Sequence, residues 1–325
     1  MLLLFDKPLE TIHNLDLDEI ASRYGVLKGQ LSFKQCSQNY IYFYEKDGNS
    51  YVLRICDTSH RNENLLKAEL DWIFFLADNG ISLCLPIPSK NGKLIEKLNV
   101  NNTFFYAVAF NKAQGFPIEE KNLNNALFEK TGRSMGRLHK LSKKYLPHKN
   151  VVKRFLWHQN PLCTTDVDKY LPLSQGMVKI RLQKLVNKLE QLPENSDNFG
   201  LIHSDFGYHN MHIYNDRLIL FDFDNCEYSY FIADIAATLY AIVSFKPSVI
   251  EKFWQYFYGG YCQENTLITA SLKYIHDFLR LRDIIVYTDY FKHYDMNKID
   301  NRIKKKLQKL HNRIEQRLSP IDFLL

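Results

Sequence analysis

Residues 200–225 read GLIHSDFGYHNMHIYNDRLILFDFDN, and this stretch decides what fold and chemistry the rest of the chain is expected to have. His203, Asp205, Asn210 and Asp222 stand among apolar runs that are typical of buried strands. Burying an unpaired charge is costly, so the carboxylates need a compensating partner. A metal ion, a phosphate group or a strong hydrogen-bond network would each provide one.

The spacing of these residues matches that of a kinase catalytic loop. His203, Asp205 and Asn210 follow the pattern H-x-D-x-x-x-x-N, and Asp222-Phe223-Asp224 stands where kinases have the D-F-G aspartate that holds Mg²⁺. Short strands are predicted over 211–214 and 218–223. The turn between them predicts a hairpin that brings Asp222 back beside Asn210.

The residue types suit phosphoryl transfer. Asp205 can orient a hydroxyl nucleophile and accept its proton, while the amide oxygen of Asn210 and the carboxylate of Asp222 are hard ligands for Mg²⁺. Water and the phosphates of ATP would complete the metal shell. We expect His203 to brace the loop rather than carry a proton. Each residue alone is common in turns or cores, but the joint pattern predicts a phosphotransferase site.

Composition is that of an ordinary globular protein. The chain has 325 residues, of which 46% are hydrophobic and 24% charged, and its formal charge of +6 is too modest to predict nucleic-acid binding. The six cysteines include no C-x-x-C pair, and no apolar run is long enough to cross a membrane. We therefore expect a cytoplasmic protein with reduced thiols, no signal peptide and no membrane partner.

The chain divides into a β-rich front and a helical remainder. Strand patterns dominate 1–109, with a hairpin turn at Asp47-Gly48-Asn49 and one long helix predicted over 61–79. Helical periodicity dominates 110–325, notably over 122–142, 173–192 and the C-terminal segment. We predict an α+β protein with a nucleotide-binding lobe at 1–109, a catalytic and acceptor-binding lobe at 110–325, and a ligand cleft between them.

Two longer segments carry a family resemblance. FGLIHSDFGYHN and ILFDFDNCEYSYFIADIAATL resemble the aminoglycoside phosphotransferase and choline kinase family of the protein-kinase-like fold. Within that family the chain is most similar to homoserine-kinase-like and stress-response-kinase-like members. The resemblance implies a small antiparallel-sheet N-lobe, a mostly helical C-lobe, and ATP and Mg²⁺ as cofactors. It also implies that Asp234 braces the catalytic loop, although a carboxylate at a helix N-terminus explains Asp234 equally well.

The resemblance implies that ATP lies under the first strands. Protein kinases carry a glycine-rich loop there, whereas this chain has the polar residues Ser37, Gln38 and Asn39, whose backbone N–H groups could cap phosphates. A plain surface hairpin is at least as good an explanation. Arg54 stands in place of the kinase lysine, and the family distance favours Glu69 over Glu63 as its partner.

The segment 104–110 is expected to lead from one lobe to the other as the hinge. The backbone around Val108, Ala109 and Phe110 would then pair with adenine. His139, which also fits a family motif, is interpreted as a packing residue.

The acceptor stays open among an amino alcohol, a hydroxy-amino acid and an aminoglycoside-like antibiotic, all of them small molecules with a hydroxyl group. Arg280 could hold an acceptor carboxylate, or it could form a structural ion pair with Asp283. Two alternatives remain: a protein Ser/Thr kinase of the stress-response type, and a nucleotide-binding module without turnover. The oligomeric state and the choice between ATP and GTP are not predicted. Candidate residues lining the acceptor site are Trp157, Tyr228, Tyr230, Arg280, Arg282, Asp283 and Tyr287.

Overall fold

The chain forms two compact units in a computed structural model that describes residues 16–36, 38–58, 61–100 and 103–321. The first unit holds the described residues up to Pro117, together with Leu146–Lys153 and Met211–Asp224. The second unit holds Ile118–Tyr145, Arg154–Asn210 and the described residues from Asn225 onward. The predicted α+β fold class is confirmed. The predicted lobe boundary at 109 and 110 falls inside a strand and remains a prediction.

The first unit is built on an antiparallel sheet with the order β1-β2-β3-β6-β4, in which β5 also pairs with β6. The predicted hairpin lies between β2 and β3, where Lys46 faces Asn49 and only Asp47 and Gly48 form the loop. Both loop residues have positive φ, as a two-residue type I′ turn requires. The strands are β1 (Ser32–Cys36), β2 (Tyr40–Lys46), β3 (Asn49–Asp57), β4 (Pro86–Ile87), β5 (Glu96–Val100) and β6 (Thr103–Asn111).

Helices α1 (Leu17–Tyr24) and α2 (Glu63–Asp78) complete the core of this unit. The sequence also predicts a short helix over 12–24, of which residues 12–15 lie outside the described part of the chain. The second begins after Asn62, whose side chain accepts the Leu65 N–H, and ends before Gly80 with φ +80°. The helix predicted over 61–79 is confirmed, although it begins two residues later than predicted.

A second small sheet carries the hairpin that the opening stretch predicted. It has the order β10-β9-β7 and consists of β7 (Phe116–Pro117), β9 (Met211–Tyr214) and β10 (Arg217–Leu220). The last strand was expected to continue to Phe223, but it ends at Leu220. Asp222 has a φ of +63°, which is incompatible with an extended strand.

The second unit is mainly helical, with one two-stranded ladder between β8 (Phe199–Ile202) and β11 (Glu227–Tyr230). No strand was predicted at β11, although Tyr228 and Tyr230 of this strand are among the residues predicted to line the acceptor site. The helices are α3 (Asn125–Ser142), α4 (Thr165–Tyr170), α5 (Gly176–Leu189), α6 (Phe231–Phe245), α7 (Ile250–Glu264), α8 (Ile275–His293) and α9 (Asn301–Gln316).

Helices α3 and α7 pack at unusually close range because glycines face the opposite backbone. A Cβ atom added at Gly132 would collide with the carbonyl oxygen of Phe257, and one added at Gly260 would collide with that of Glu129. This approach brings Tyr261 of α7 to His139 of α3, with 2.9 Å between the Tyr261 hydroxyl oxygen and Nδ1. The close packing of α3 and α7 therefore helps to fix the position of His139.

In the described part of the chain, none of the helices combines the length and the hydropathy that a membrane span requires.

Candidate active site

The loop from His203 to Asn210 begins where β8 ends and is held by Asp234. Oδ2 of Asp234 accepts the His203 N–H at 3.0 Å, and Oδ1 accepts the Ser204 N–H at 2.9 Å. Ser204 has a φ of +65°, a conformation that non-glycine residues adopt mainly where surrounding contacts enforce it. The bracing role that the resemblance implied for Asp234 is confirmed. Its position in the first turn of α6 is also consistent with the helix-dipole explanation.

His139, which is buried, contacts the Asp234 carboxylate. Nε2 of His139 lies 3.2 Å from Oδ2 of Asp234, and the imidazole stacks on Phe231 at a centroid distance of 4.5 Å. Burial lowers the pKa of His139, although Asp234 opposes that effect. A neutral His139 therefore has the packing role that the sequence predicted, and it also supports Asp234.

The Asp205 carboxylate is contacted by three side chains that can donate hydrogen bonds. Its Oδ2 accepts Nδ2 of Asn210 at 3.0 Å and lies 3.2 Å from Nε2 of His209. Its Oδ1 accepts a guanidinium nitrogen of Arg282 at 2.9 Å, and the same guanidinium reaches the Ser204 carbonyl oxygen at 3.3 Å. The carboxylate is therefore fixed in both position and orientation.

These contacts determine the charge of Asp205. Burial alone would raise the pKa of its carboxyl, but His209, Arg282 and His203 outweigh burial and hold that pKa below the ordinary value. Asp205 is consequently ionised at any physiological pH. It is a weak base that is well placed to orient a hydroxyl group.

His203 has the geometry of a supporting residue. It is buried, and its Nδ1 accepts the backbone N–H of Asp205 at 3.3 Å. The ring also meets Phe206 edge-on at a centroid distance of 5.7 Å. This arrangement agrees with the predicted bracing role and offers no free nitrogen on the Asp205 side of the ring for proton transfer.

Asn210 and Asp222 have donor atoms that suit Mg²⁺. Asn210 uses its Nδ2 on Asp205, so its amide is oriented, and no described residue donates to its Oδ1. The Asp222 side chain is 46% exposed and its backbone is held at φ +63°. Among the described residues no cluster of three His, Cys, Asp or Glu forms a ready-made metal site. Each side chain offers an oxygen of the kind that Mg²⁺ takes, since Mg²⁺ is typically bound by one or two protein oxygens together with substrate phosphates and water.

Arg54 and Glu69 form a buried bidentate ion pair in the first unit. The two guanidinium nitrogens donate to the two carboxylate oxygens at 2.8 and 2.6 Å. Oδ1 of Asp222 lies 4.0 Å from a guanidinium nitrogen of Arg54. The guanidinium also lies over the ring of Phe110 at 5.1 Å. Glu63, the other candidate partner, instead forms a surface pair with Lys67.

The second aspartate of Asp222-Phe223-Asp224 is a structural anchor that the sequence reasoning missed. Asp224 is buried and accepts hydrogen bonds from Nε of Arg61 at 2.9 Å and Nδ2 of Asn39 at 3.1 Å. Phe223 packs edge-on against Trp72 of α2 at 5.4 Å. These contacts fix the backbone on the C-terminal side of Asp222. A carboxylate in place of the usual kinase glycine was the signal that could have revealed the anchor.

The predicted phosphate loop lies between β1 and β2. Ser37 lies outside the described residues, and Gln38 is half-buried. Asn39 is buried and directs its amide to Asp224 rather than outward. The backbone N–H groups remain the predicted phosphate donors, while the Asn39 side chain ties this loop to the Asp222 segment.

The hinge assignment needs correction. Val108, Ala109 and Phe110 lie inside β6, where they face Arg54, Leu53 and Val52 of β3. Ala109 and Phe110 also pair with β4 on the opposite side. Because ladder partners flank Ala109 and Phe110 on both sides, this backbone is a poor candidate for binding adenine. The first backbone outside the strand begins after Asn111.

The acceptor-site candidates separate into different environments. Arg282 contacts Asp205, whereas Arg280 pairs with Asp277 and Asp283 pairs with Arg313. The predicted Arg280–Asp283 pair is therefore wrong, because each residue finds its partner elsewhere. Tyr287 bonds Gln175, and the tyrosines of β11 belong to its ladder. A small cavity of about 50 Å³ in the second unit is lined in part by Trp157, Ser204, Glu227 and Arg282.

Comparison with known proteins identifies the class of enzyme. The profile of the phosphotransferase enzyme family matches residues 34–263, and the chain belongs to that family. The family membership and the kinase activity predicted from the motifs are thereby confirmed. The protein is a phosphotransferase that moves phosphate from ATP to a hydroxyl group of a small molecule, with a divalent cation, Mg²⁺, as cofactor.

Particular relatives narrow the class. Amicoumacin kinase of Bacillus subtilis (strain 168) is 34% identical over 307 residues, which cover 92% of this chain and 91% of that protein. The solved structure of amicoumacin kinase hAmiN in complex with AMP-PNP, Ca²⁺ and Ami has a TM-score of 0.91 and 31% identity, covering 97% of both chains. A spectinomycin phosphotransferase structure has a TM-score of 0.61 at 17% identity and covers 92% of this chain and 98% of that one. The last likeness shows the fold alone.

Proposed function

We propose that this enzyme phosphorylates a hydroxyl group of amicoumacin or of a closely related small molecule. The proposal depends on one observation, an ionised and firmly oriented Asp205 in a chain that is similar to amicoumacin kinases over nearly its whole length. No specific feature favours a protein substrate or a binding module without turnover.

Asp205 has the central role in the proposed reaction. Its carboxylate accepts the hydrogen bond of the acceptor hydroxyl and turns the oxygen toward the γ-phosphate. It takes the proton as the new phosphate ester forms, while the bond from the γ-phosphorus to the bridging oxygen breaks and ADP leaves. Arg282 and Asn210 keep the carboxylate in place, and Asp234 keeps the loop in place. Because phosphoryl transfer needs little base strength, the low pKa of Asp205 is compatible with this role.

The nucleotide is assigned to residues that the sequence predicted, with one revision. Arg54, oriented by Glu69, would contact ATP phosphates, and the backbone of residues 37–39 would cap them. Asn210 and Asp222 would hold Mg²⁺, which neutralises charge on the phosphates when bound. Residues 112–115 replace 108–110 as the proposed adenine-binding backbone, since they lie outside the strands. We further propose a cytoplasmic location, where ATP is available.

An acceptor screen tests the proposal. The purified protein, ATP and Mg²⁺ are incubated with amicoumacin, aminopropanol, spectinomycin, homoserine or a Ser/Thr peptide, and mass spectrometry detects the addition of one phosphate. We expect amicoumacin to have the highest kcat/KM by at least about a hundredfold, which corresponds to about 2.7 kcal/mol of transition-state discrimination. Preferred phosphorylation of the peptide or of another small molecule would contradict the assignment.

A further inference from the structure

A second cavity lies among α5, α8 and α9 in the second unit and has a volume of about 210 Å³. Its described lining contains neither Asp205 nor any other residue of the catalytic loop. Arg280 and Asp283, which the sequence singled out for the acceptor, both line it. The lining also includes Arg181 and Lys184 of α5 and Arg313 of α9.

Both carboxylates in the lining are already neutralised. Asp277 accepts Nζ of Lys188 at 2.6 Å and a guanidinium nitrogen of Arg280 at 3.1 Å. Asp283 is bound by Arg313 of α9 and by the hydroxyl of Tyr240. Neither acid is therefore available to balance further positive charge.

Three cations in the lining are left without an acidic partner. In the described part of the chain, Arg181, Lys184 and Arg317 form no ion pair, and Arg181 only donates to the backbone carbonyl of Glu315, at 3.0 Å. The Nε groups of Arg181 and Arg280 are buried without a hydrogen-bond partner. Clustered like charges repel one another, and unpaired buried donors are costly, so a bound anion would relieve both effects.

Arg317 also occupies a backbone position that favours glycine. It is the residue at which α9 ends, with φ +56° and its N–H directed to the carbonyl oxygens of Arg313 and Ile314. Glycine is the usual residue there because it adopts the left-handed conformation without strain. A strained residue that carries a charge into a cavity is consistent with a functional requirement for that charge.

The rest of the lining is apolar. Leu185, Ile284, Ile314 and Leu318 contribute aliphatic side chains, and Leu318 is 50% exposed. A purely inorganic anion would leave this surface uncovered. Arginine and lysine together with an aliphatic wall suit a ligand that has an anionic head and a short apolar body.

We propose that this cavity binds a soluble, multiply charged oxyanion with an apolar body, a phosphate monoester being the simplest example. The excess of unpaired cations favours a phosphate over a single carboxylate, because a phosphate carries a charge of about −1.5 to −2 near neutral pH. The site is separate from the phosphotransfer site, and the proposal does not rest on the identity of the acceptor.

Calorimetric titration with phenyl phosphate tests the proposal. The full-length protein is first saturated with AMP-PNP and Mg²⁺, so that the nucleotide seat cannot account for the binding. Inorganic phosphate and phenol serve as probes of the anionic head and the apolar body alone. The variants are Lys184→Gln and Arg317→Gly, and Lys305→Gln on the exposed part of α9 is the matched control because Lys305 is outside the lining.

We expect phenyl phosphate to bind more tightly than either partial probe and to weaken as salt is added. Each cavity variant should lose about tenfold in affinity, since each removes a charge-assisted contact, whereas Lys305→Gln should stay within about twofold. Arg317→Gly separates binding from folding, because it should keep or raise the melting temperature while weakening the binding.

Three results would overturn the proposal. The first is the absence of binding by the wild-type protein at millimolar phenyl phosphate. The second is an equal loss of affinity in Lys305→Gln, which would indicate a diffuse charge effect. The third is cosedimentation with phosphatidate vesicles without any binding of the soluble ester, which would assign the cavity to a lipid headgroup.

Discussion

Asp205 combines a low pKa with a fixed orientation, and both properties come from its neighbours. Arg282 of α8 is the only guanidinium that contacts this carboxylate in the described part of the chain, and it also reaches the backbone of Ser204. His209 and Asn210 come from the loop itself. Arg282 is therefore a positioning residue that supplies charge from a different element.

Replacing Arg282 tests this electrostatic role. Arg282→Gln should lower kcat by about tenfold to a hundredfold, because the carboxylate loses one orienting contact. It should also raise the pKa of Asp205, since a stabilising positive charge is removed. The acidic limb of the kcat/KM profile should consequently move to higher pH. Initial rates measured over a range of pH would check both effects.

Arg133→Gln is the control for this experiment, because Arg133 is half-exposed on α3 and forms only a 4.0 Å surface pair with Glu129. Its rate and pH profile should match those of the wild-type protein. A lower kcat in Arg282→Gln with an unshifted acidic limb would indicate a merely structural contribution of Arg282.

Asp289 is a half-buried acid whose carboxylate has few stabilising contacts. Its Oδ1 has no hydrogen-bond partner among the described residues. Burial, helped by Asp166 and Asp205 and opposed by Lys292 and Arg282, raises its pKa to about 6 from the ordinary 3.8. The folded protein therefore holds this proton more tightly than the unfolded chain does. Stability should fall as the pH rises from about 4 through about 6.

Removing that charge should stabilise the protein in a pH-dependent way. Asp289→Asn should raise the free energy of unfolding near neutral pH by on the order of 1–3 kcal/mol, and the gain should vanish below about pH 4. Urea titrations at several pH values would measure it. Asp78→Asn, at an exposed position, should change stability by less than about 0.5 kcal/mol at every pH. A gain that does not depend on pH would refute the electrostatic explanation.

Local spacing was sufficient to find the catalytic loop and insufficient to find its partners. His203, Asp205 and Asn210 lie close together in the chain, so their spacing and the turn residues of the following hairpin are enough to identify the loop. Arg282 lies 77 residues from Asp205 in the sequence. Because Arg280 and Asp283 beside it are also charged, the sequence does not show which of these residues contacts Asp205. The orientation of α8 about its axis decides that Arg282 contacts Asp205 and that Arg280 lines the cavity of about 210 Å³.

The contact between α3 and α7 depends on backbone atoms that only glycine can expose. Gly132→Ala should destabilise the protein by about 1–3 kcal/mol, because the new methyl group collides with the Phe257 carbonyl oxygen and a backbone can move only little. Displacement of α3 should also loosen His139 from Asp234. Thermal melting and urea unfolding measure the loss.

Gly176→Ala is the matched substitution at the start of α5. A Cβ atom at Gly176 meets nothing within 4 Å, so alanine should be neutral or stabilise by up to about 1 kcal/mol. Equal destabilisation by both alanines would show that loss of a helical glycine, rather than the close contact, causes the effect.

Secondary structure was predictable where turn and cap residues mark it. The β2–β3 hairpin follows from Asp47-Gly48, and the C-terminal end of α2 follows from Gly80. The start of α2 lies two residues after the predicted one, because Asn62 caps it. The hinge was predicted too early in the chain because the apolar sequence of β6 does not show at which residue its strand pairing ends. The ladder continues to Asn111 because β3 and β4 flank it, and this pairing between distant segments is absent from the local pattern.

Each compact unit contains some of the residues that the sequence singled out. Arg54, Glu69 and Asp222 belong to the first unit, and Asp205 and Asn210 belong to the second. The fold class and the family were predictable because the two family motifs lie in one continuous stretch of sequence, residues 199–239. A single lobe boundary cannot describe this division, because residues 211–224 belong to the first unit although the segments before and after them belong to the second.

The role of Asp205 in transfer is tested most directly by Asp205→Asn. Transfer of phosphate from ATP to amicoumacin and the rise in melting temperature caused by AMP-PNP with Mg²⁺ are measured on the same preparations. We predict that transfer falls by at least about a hundredfold while the nucleotide-induced rise persists, because the carboxylate acts on the acceptor. Asp216→Asn, in the neighbouring hairpin, should retain both. Transfer at the wild-type rate in Asp205→Asn would contradict the account.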